Sequence, residues 1–132
     1  MEERSGANGG GRMPTGLTFD RPKPHNEEAE VSVLGAMLCS PEAASVALGQ
    51  LRIPNAFYRP AHQLIFDAMV ELVGARSETA IDAVVLADCL ERAGHLDEAG
   101  GRDYLVQLMD AVPTIANIEF YVDIVKQNAI LR

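Results

Sequence analysis

The sequence predicts an all-α domain of six or seven short helices, joined by loops of about three to eight residues. Three observations carry that reading. From Asn26 onward, apolar side chains recur at helical spacing through most of the chain. Between those stretches fall Asn, Ser-Pro, Asp and Gly, the residue types that start and stop helices. The best strand candidate, Val84-Val85-Leu86, lies inside a helical stripe flanked by Asp82 and Asp88.

The elements follow in order. Asn26 is placed as an N-cap, and Glu27 and Glu28 suit the positive end of the helix dipole. Ala29, Val33, Met37 and Val31, Leu34, Leu38 then recur at helical spacing, which predicts a helix over 27–38. Ser40-Pro41 reads as N-cap and first helical residue of a second helix, running from Glu42 to Gln50. Residues 53–58 form a connection with room for one helical turn. Pro60 opens the clearest helix. Ala61, Leu64, Ile65, Ala68, Met69, Leu72 and Val73 fit the template, and Gly74 is expected to end it. Asp82 caps the next helix, whose stripe is Val85, Leu86, Cys89, Leu90 and Ala93, with Gly94 as its stop. Gly100-Gly101, a turn requiring positive φ, leads into a short helix through Tyr104, Leu105, Leu108 and Met109, closed by Pro113. Thr114 caps the last helix, 115–131, with the stripe Ile115, Ile118, Val122, Val125 and Ala129. That helix reaches the end of the chain with no Gly, Asn or Pro stop, so a cut inside a longer helix is expected.

Residues 1–24 are different in kind. They hold five of the eleven Gly and three of the seven Pro, and read as a disordered tail. The tail carries a net charge of +1. The remaining 108 residues carry seven basic and sixteen acidic side chains, a net −9. Such a balance opposes a free-standing nucleic-acid binder, which needs clustered cations, and opposes docking on an anionic membrane. No apolar run approaches the ~18 residues that span a bilayer, and the N-terminus lacks a secretory apolar region. The expected location is the cytoplasm. Cys39 and Cys89 are too few for a disulfide framework and are expected as reduced core thiols.

Little in the chain suggests catalysis. A phosphate loop of the form GxxxxGK[ST] needs a Lys, and neither Lys23 nor Lys126 follows a glycine loop. Asp97, Glu98 and Asp103 around Gly100-Gly101 would repel an anion. His25, His62 and His95 are far apart, and no metal-ligand spacing occurs. Cys39 and His62 could meet as a nucleophile pair, but no third orienting group is identifiable. A hydrogen-bonded structural His62 and a core Cys39 are the favoured reading. The acidic pairs Glu27/Glu28, Asp97/Glu98 and Asp67/Glu71 read as solvated faces. Phe57 reads as core, and Arg59 as a surface partner for a carboxylate. No catalytic, cofactor-binding or metal residues are assigned, and the residues point to a helical interaction module.

Read as a string, residues 22–132 are more specific. Pro24-His25-Asn26-Glu27-Glu28-Ala29-Glu30 followed by Val33-Leu34-Gly35 resembles the opening of the N-terminal domain of the bacterial replicative DNA helicase, the DnaB family. Phe57-Tyr58-Arg59-Pro60-Ala61-His62-Gln63-Leu64-Ile65-Phe66 resembles that family's second block, with Ala56 where an acidic residue is usual. Gly100-Gly101 with Tyr104-Leu105 is similar to a third. Val112-Pro113-Thr114, Ala116-Asn117-Ile118, Tyr121 and Ile124-Val125 are similar to a fourth.

The resemblance implies a small orthogonal helical bundle followed by the first arm of a truncated helical hairpin. It implies a head over 25–112 and the start of the hairpin over 113–132, continuing in a parent protein. That parent would be a hexameric helicase driven by ATP and Mg²⁺ in a separate RecA-like motor absent here, moving on single-stranded DNA. This stretch would be non-catalytic and would hold no cofactor. Implied partners are a second copy of the chain (dimers, and a trimer of dimers in the parent), primase and a helicase loader. Ile118, Tyr121, Val122, Val125 and Ala129 become candidate subunit contacts, with packing inside the same chain as the alternative. Tyr104 becomes a candidate primase-facing residue, with packing on helix 60–73 as its alternative. The competing functional reading is a stand-alone single-stranded nucleic-acid-binding helical module.

Overall fold

The computed structural model describes residues 25–76, 81–111 and 117–132. Among them are six α-helices and no strand: α1 (Glu27–Cys39), α2 (Pro41–Gln50), α3 (Pro60–Arg76), α4 (Ala83–Arg92), α5 (Gly101–Asp110) and α6 (Ile118–Leu131). The tail 1–24, Pro113 as a helix stop, Thr114 as a cap and Ile115 lie outside the described residues. No described helix is long and apolar enough to cross a membrane.

α1 is the hub, packing against α2, α3, α5 and α6, while α2 meets α6, α3 meets α4 and α4 meets α5. Its sequence explains this position. Two apolar stripes on different sides of one helix leave little polar face, and such a helix is stable only when surrounded. Every residue from Ser32 to Leu38 is buried. By contrast, α4 and α5 each show one apolar face and bury only Leu86, Ala87 and Leu90, and Leu105 and Leu108.

Local caps set the boundaries. Asn26 Oδ1 accepts from Ala29 N–H at 2.9 Å. Ser40 serves two helices: its N–H donates to Ala36 O at the end of α1, and its Oγ accepts from Ala43 N–H at the start of α2, with Pro41 as first helical residue. Asp82 Oδ1 accepts from Val84 N–H at 2.7 Å. Gly94 has φ +79°, and the bonds His95 N–H to Leu90 O and Gly94 N–H to Glu91 O complete a Schellman end for α4. Gly74 departs from expectation. It lies within α3, exposed and with open space where a Cβ would sit, and the helix continues to Arg76. A helical glycine costs only about 1 kcal/mol, too little to stop a long helix. The 53–58 connection holds no helical turn; it bends at Pro54-Asn55, with Asn55 at φ +57°.

Cys39 is a second correction. Expected in the core, it is exposed at the last residue of α1, its Sγ 3.8 Å from Met109 O. It sits at the end of α1, past the Ser32–Leu38 stretch that is buried on every side. Cys89 is half-buried; burial pushes its thiol up, helped by the Glu71 carboxylate 3.8 Å from Sγ.

Candidate functional site

The most unusual feature of the interior is polar. Glu30 and His62 are 1% and 0% exposed, the ionisable side chains among the buried described residues, whose other buried polar members are Ser32 and Ser40. Buried charged groups persist only where partners replace water, and here the partners come from three parts of the chain. The Glu30 carboxylate, from the first turn of α1, accepts from Tyr58 N–H at 2.7 Å and, more weakly, from Arg59 N–H at 3.4 Å. Both donors lie just before α3, where backbone N–H groups have no partner within the helix. Glu30 therefore caps α3 from a neighbouring helix.

The same carboxylate lies 2.7 Å from His62 Nδ1. With the carboxylate ionised, Glu30 only accepts, and Nδ1 is then the nitrogen that carries a hydrogen and donates it. The other ring nitrogen, Nε2, is 2.6 Å from the Tyr104 hydroxyl of α5. The two rings lie nearly parallel, 8° apart, with centroids separated by 6.0 Å. Tyr104 is partly buried. Burial pushes its phenol up from the ordinary value; Glu27 and Glu30 add to that, while Arg59 opposes it. Gly100, at φ +104°, makes room for the ring: a Cβ there would meet Tyr104 Cβ, Cγ and Cδ2 at 2.8 Å. Gln63 Nε2 donates to Phe57 O at 2.9 Å and holds the connection against α3.

Three of the sequence blocks singled out above thus form one joint: Glu30 from the first, Tyr58 and His62 from the second, Gly100 and Tyr104 from the third. It ties α1, α3 and α5 together. A Glu–His–Tyr line has the parts of a proton relay, but His62 is sealed and each ring nitrogen is occupied, so no reacting group reaches it. The Cys39–His62 nucleophile pair, disfavoured in the sequence, is not formed, and His62 is the hydrogen-bonded structural side chain that was favoured. Tyr104 packs against α3 through His62, the alternative the sequence left open. Reasoning from residues alone missed Glu30. Its signal was a carboxylate three, four and seven positions before Val33, Leu34 and Met37, on a face those residues bury.

The described arginines of this region are held by carboxylates. Arg59 Nη1 is 3.4 Å from Glu27 Oε1, and Arg102 Nη2 is 2.8 Å from Glu91 Oε1 and 3.3 Å from Asp88 Oδ1. Phe57 is core, 1% exposed. Among the described residues, no group of three or more His, Cys, Asp or Glu could hold a metal ion.

The candidate contact residues of α6 divide. Ile118, Val122 and Val125 are buried in this chain, on the side where α6 meets α1 and α2. Tyr121 and Ala129 are partly buried. The apolar surface that α6 turns outward is Phe120, Ile130 and Leu131, which are 64%, 62% and 70% exposed. Phe120 and Leu131, eleven positions apart, project within about 20° of each other on a helix.

Comparison with known proteins agrees with the resemblance. The family model described as the DnaB-like helicase N-terminal domain matches residues 22–127. The chain is 44% identical over 118 residues to the replicative DNA helicase DnaC of Bacillus subtilis, covering 89% of this chain and 25% of that protein. It is 46% identical over 120 residues to the replicative DNA helicase DnaB of Mycobacterium leprae, covering 91% and 19% respectively. Its fold matches the crystal structure of the N-terminal domain of DnaB helicase from Mycobacterium tuberculosis with a TM-score of 0.77 at 47% identity, over 84% of this chain and 75% of that one. The chain therefore spans a quarter or less of these curated relatives' length. It belongs to the family of DnaB-like helicase N-terminal domains.

Proposed function

We propose that this chain is the assembly and primase-docking head of a hexameric, ATP-dependent replicative DNA helicase, acting in DNA replication in the cytoplasm and without catalysis of its own. The observation that supports this most is the match over residues 22–127 to a domain found at the N-terminus of replicative helicases. The site chemistry is in accord. Its buried Glu30 and His62 are committed to holding helices together, and Phe120, Ile130 and Leu131 give α6 an apolar outer face. In this reading ATP and Mg²⁺ serve a motor domain elsewhere in the parent, and single-stranded DNA passes through the parent's ring. The head pairs with copies of itself and receives primase, with a helicase loader as a further partner.

The competing reading, a stand-alone single-strand binder, is opposed by the net −9 of residues 25–132. It is opposed too by Arg59 and Arg102, which are already paired with carboxylates. The test is a titration of the fluorescently labelled chain with the helicase-binding domain of primase, beside a single-stranded oligonucleotide and an ATPase assay. Saturable primase binding, with neither DNA binding nor turnover, is expected. Salt-sensitive DNA binding without primase binding would replace this reading with its competitor.

A further inference from the structure

With Glu30 ionised, the Glu30–His62–Tyr104 line has two complete hydrogen-bond assignments. In one, His62 is neutral: Nδ1–H donates to Glu30 and the Tyr104 O–H donates to Nε2. In the other, His62 is an imidazolium: Nδ1–H still donates to Glu30, and Nε2–H donates to the Tyr104 oxygen. The 2.7 Å separation at Nδ1 is the same N–H···O bond in both, and the 2.6 Å separation at Nε2 is a short contact in either. Passing between them adds one proton and turns the hydroxyl hydrogen about its C–O bond, with no heavy atom displaced. The remaining neutral form, with hydrogen on Nε2 alone, would set a bare Nδ1 against a carboxylate, acceptor against acceptor.

The difference is read at Tyr104. In the neutral state its hydrogen is used inward, and the oxygen offers only a lone pair elsewhere. In the charged state the oxygen accepts inward and the hydrogen is free to be donated. Tyr104 is partly exposed, and His62 is its hydrogen-bond partner among the described residues. We propose that the protonation of His62 sets whether Tyr104 offers an acceptor or a donor to a docking protein, so that a partner presenting a carboxylate or carbonyl oxygen there binds with uptake of one proton.

The charges around His62 are mixed in sign. From α1, Glu30 contacts the ring directly and Glu27 lies near Tyr104, both of them acidic. Arg59, just before α3, is the basic group near Tyr104, and His62 itself sits in the first turn of α3. His25 lies further out, stacked on Tyr58 and 3.7 Å from Glu27. From α5 the ring meets the uncharged Tyr104 phenol.

The partner half of this inference rests on the docking role proposed above; the proton half does not. The first measurement is ¹⁵N NMR of the histidine-labelled full chain between about pH 8.5 and about pH 5.5. The expected result is hydrogen on Nδ1 throughout, with Nε2 gaining a proton as the pH falls and the helical signal unchanged. An Nε2–H tautomer at the alkaline end would overturn the inference, as would a His62 that gains no second proton while the chain stays folded. The second measurement is the affinity for the helicase-binding domain of primase. It is expected to rise about fivefold from about pH 8 to about pH 6, the worth of one hydrogen bond, and to be flat for Tyr104→Phe. Binding with the same pH dependence in Tyr104→Phe overturns the coupling and leaves the docking role standing. A two-state His62 with no primase binding at any pH overturns the docking role and the partner half with it, and upholds the proton half.

Discussion

Replacing Glu30 measures the joint directly. Glu30→Ala removes the acceptor for Tyr58 N–H, Arg59 N–H and His62 Nδ1–H and leaves a void that side chains as buried as His62 cannot easily fill. The two short bonds dominate. A buried donor left without a partner costs about 1–3 kcal/mol, so the loss is about 3–5 kcal/mol with the long Arg59 bond adding little. Domains of this size are stable by about 5–15 kcal/mol, so the variant sits near the edge of unfolding. Glu30→Gln is the informative companion. Its amide oxygen keeps Tyr58 N–H, its NH₂ donates to Nδ1, and His62 shifts its hydrogen to Nε2 and donates to the Tyr104 oxygen. Every group but Arg59 N–H, whose long bond ran to the oxygen that the NH₂ replaces, is again paired, and the expected cost is about 1–2 kcal/mol. Urea unfolding followed by helical circular dichroism gives both numbers from midpoint and slope. The reasoning fails if Glu30→Ala lies within about 0.5 kcal/mol of the parent, or if Gln is as damaging as Ala.

Four further outcomes follow from the geometry. Gly94→Ala places a side chain at φ +79° in open space and should cost about 1 kcal/mol, whereas Gly100→Ala adds the 2.8 Å clash with Tyr104 and should cost at least ~2 kcal/mol; urea midpoints separate them. Gly74→Ala, inside an exposed turn of α3, should stabilise by about 0.5–1 kcal/mol in the same assay. Because burial raises the Tyr104 phenol, the folded chain holds that proton more tightly than the unfolded chain does. This contribution is present below about pH 10 and is lost as the pH climbs through the raised value; Tyr104→Phe should remove that alkaline slope in urea midpoints, and Cys89, raised in the same direction, adds a slope of its own from about pH 9 upward that Cys89→Ala removes. Val122→Asp buries a carboxylate where the side chain is 1% exposed and should destabilise by about 3 kcal/mol or more, while Phe120→Asp, 64% exposed, should leave stability within about 0.5 kcal/mol and weaken self-association seen by sedimentation.

What the sequence disclosed has a physical pattern. Asn26, Ser40-Pro41, Asp82 and Gly94 are local events, in which a side chain or a single φ acts on backbone within a few positions, so their neighbours suffice to reveal them. The helical spacing of α1 was readable in the sequence, but its surrounded position was not, although its apolar residues lie on more than one side. The joint was not readable that way. Glu30 is 32 positions from His62, and His62 is 42 from Tyr104, so no local period links them. Only the family blocks drew these residues together, and the blocks gave no geometry. Packing of Ile118, Val122 and Val125 inside the chain leaves the same 3.6-residue stripe as packing against a partner, and only coordinates separate the two. Gly74 misled because a helix-stopping glycine and a tolerated one look alike until the packing of α3 on α4 is known.

The account stands or falls on the head's role within a larger helicase. Residues 25–132 should replace the matching stretch of the Bacillus subtilis replicative helicase, and the chimera should be sedimented and then titrated with primase's helicase-binding domain. The account predicts a hexamer that binds primase, with binding weakened when Tyr104→Phe is introduced. A chimera that assembles and unwinds DNA yet ignores primase would contradict it.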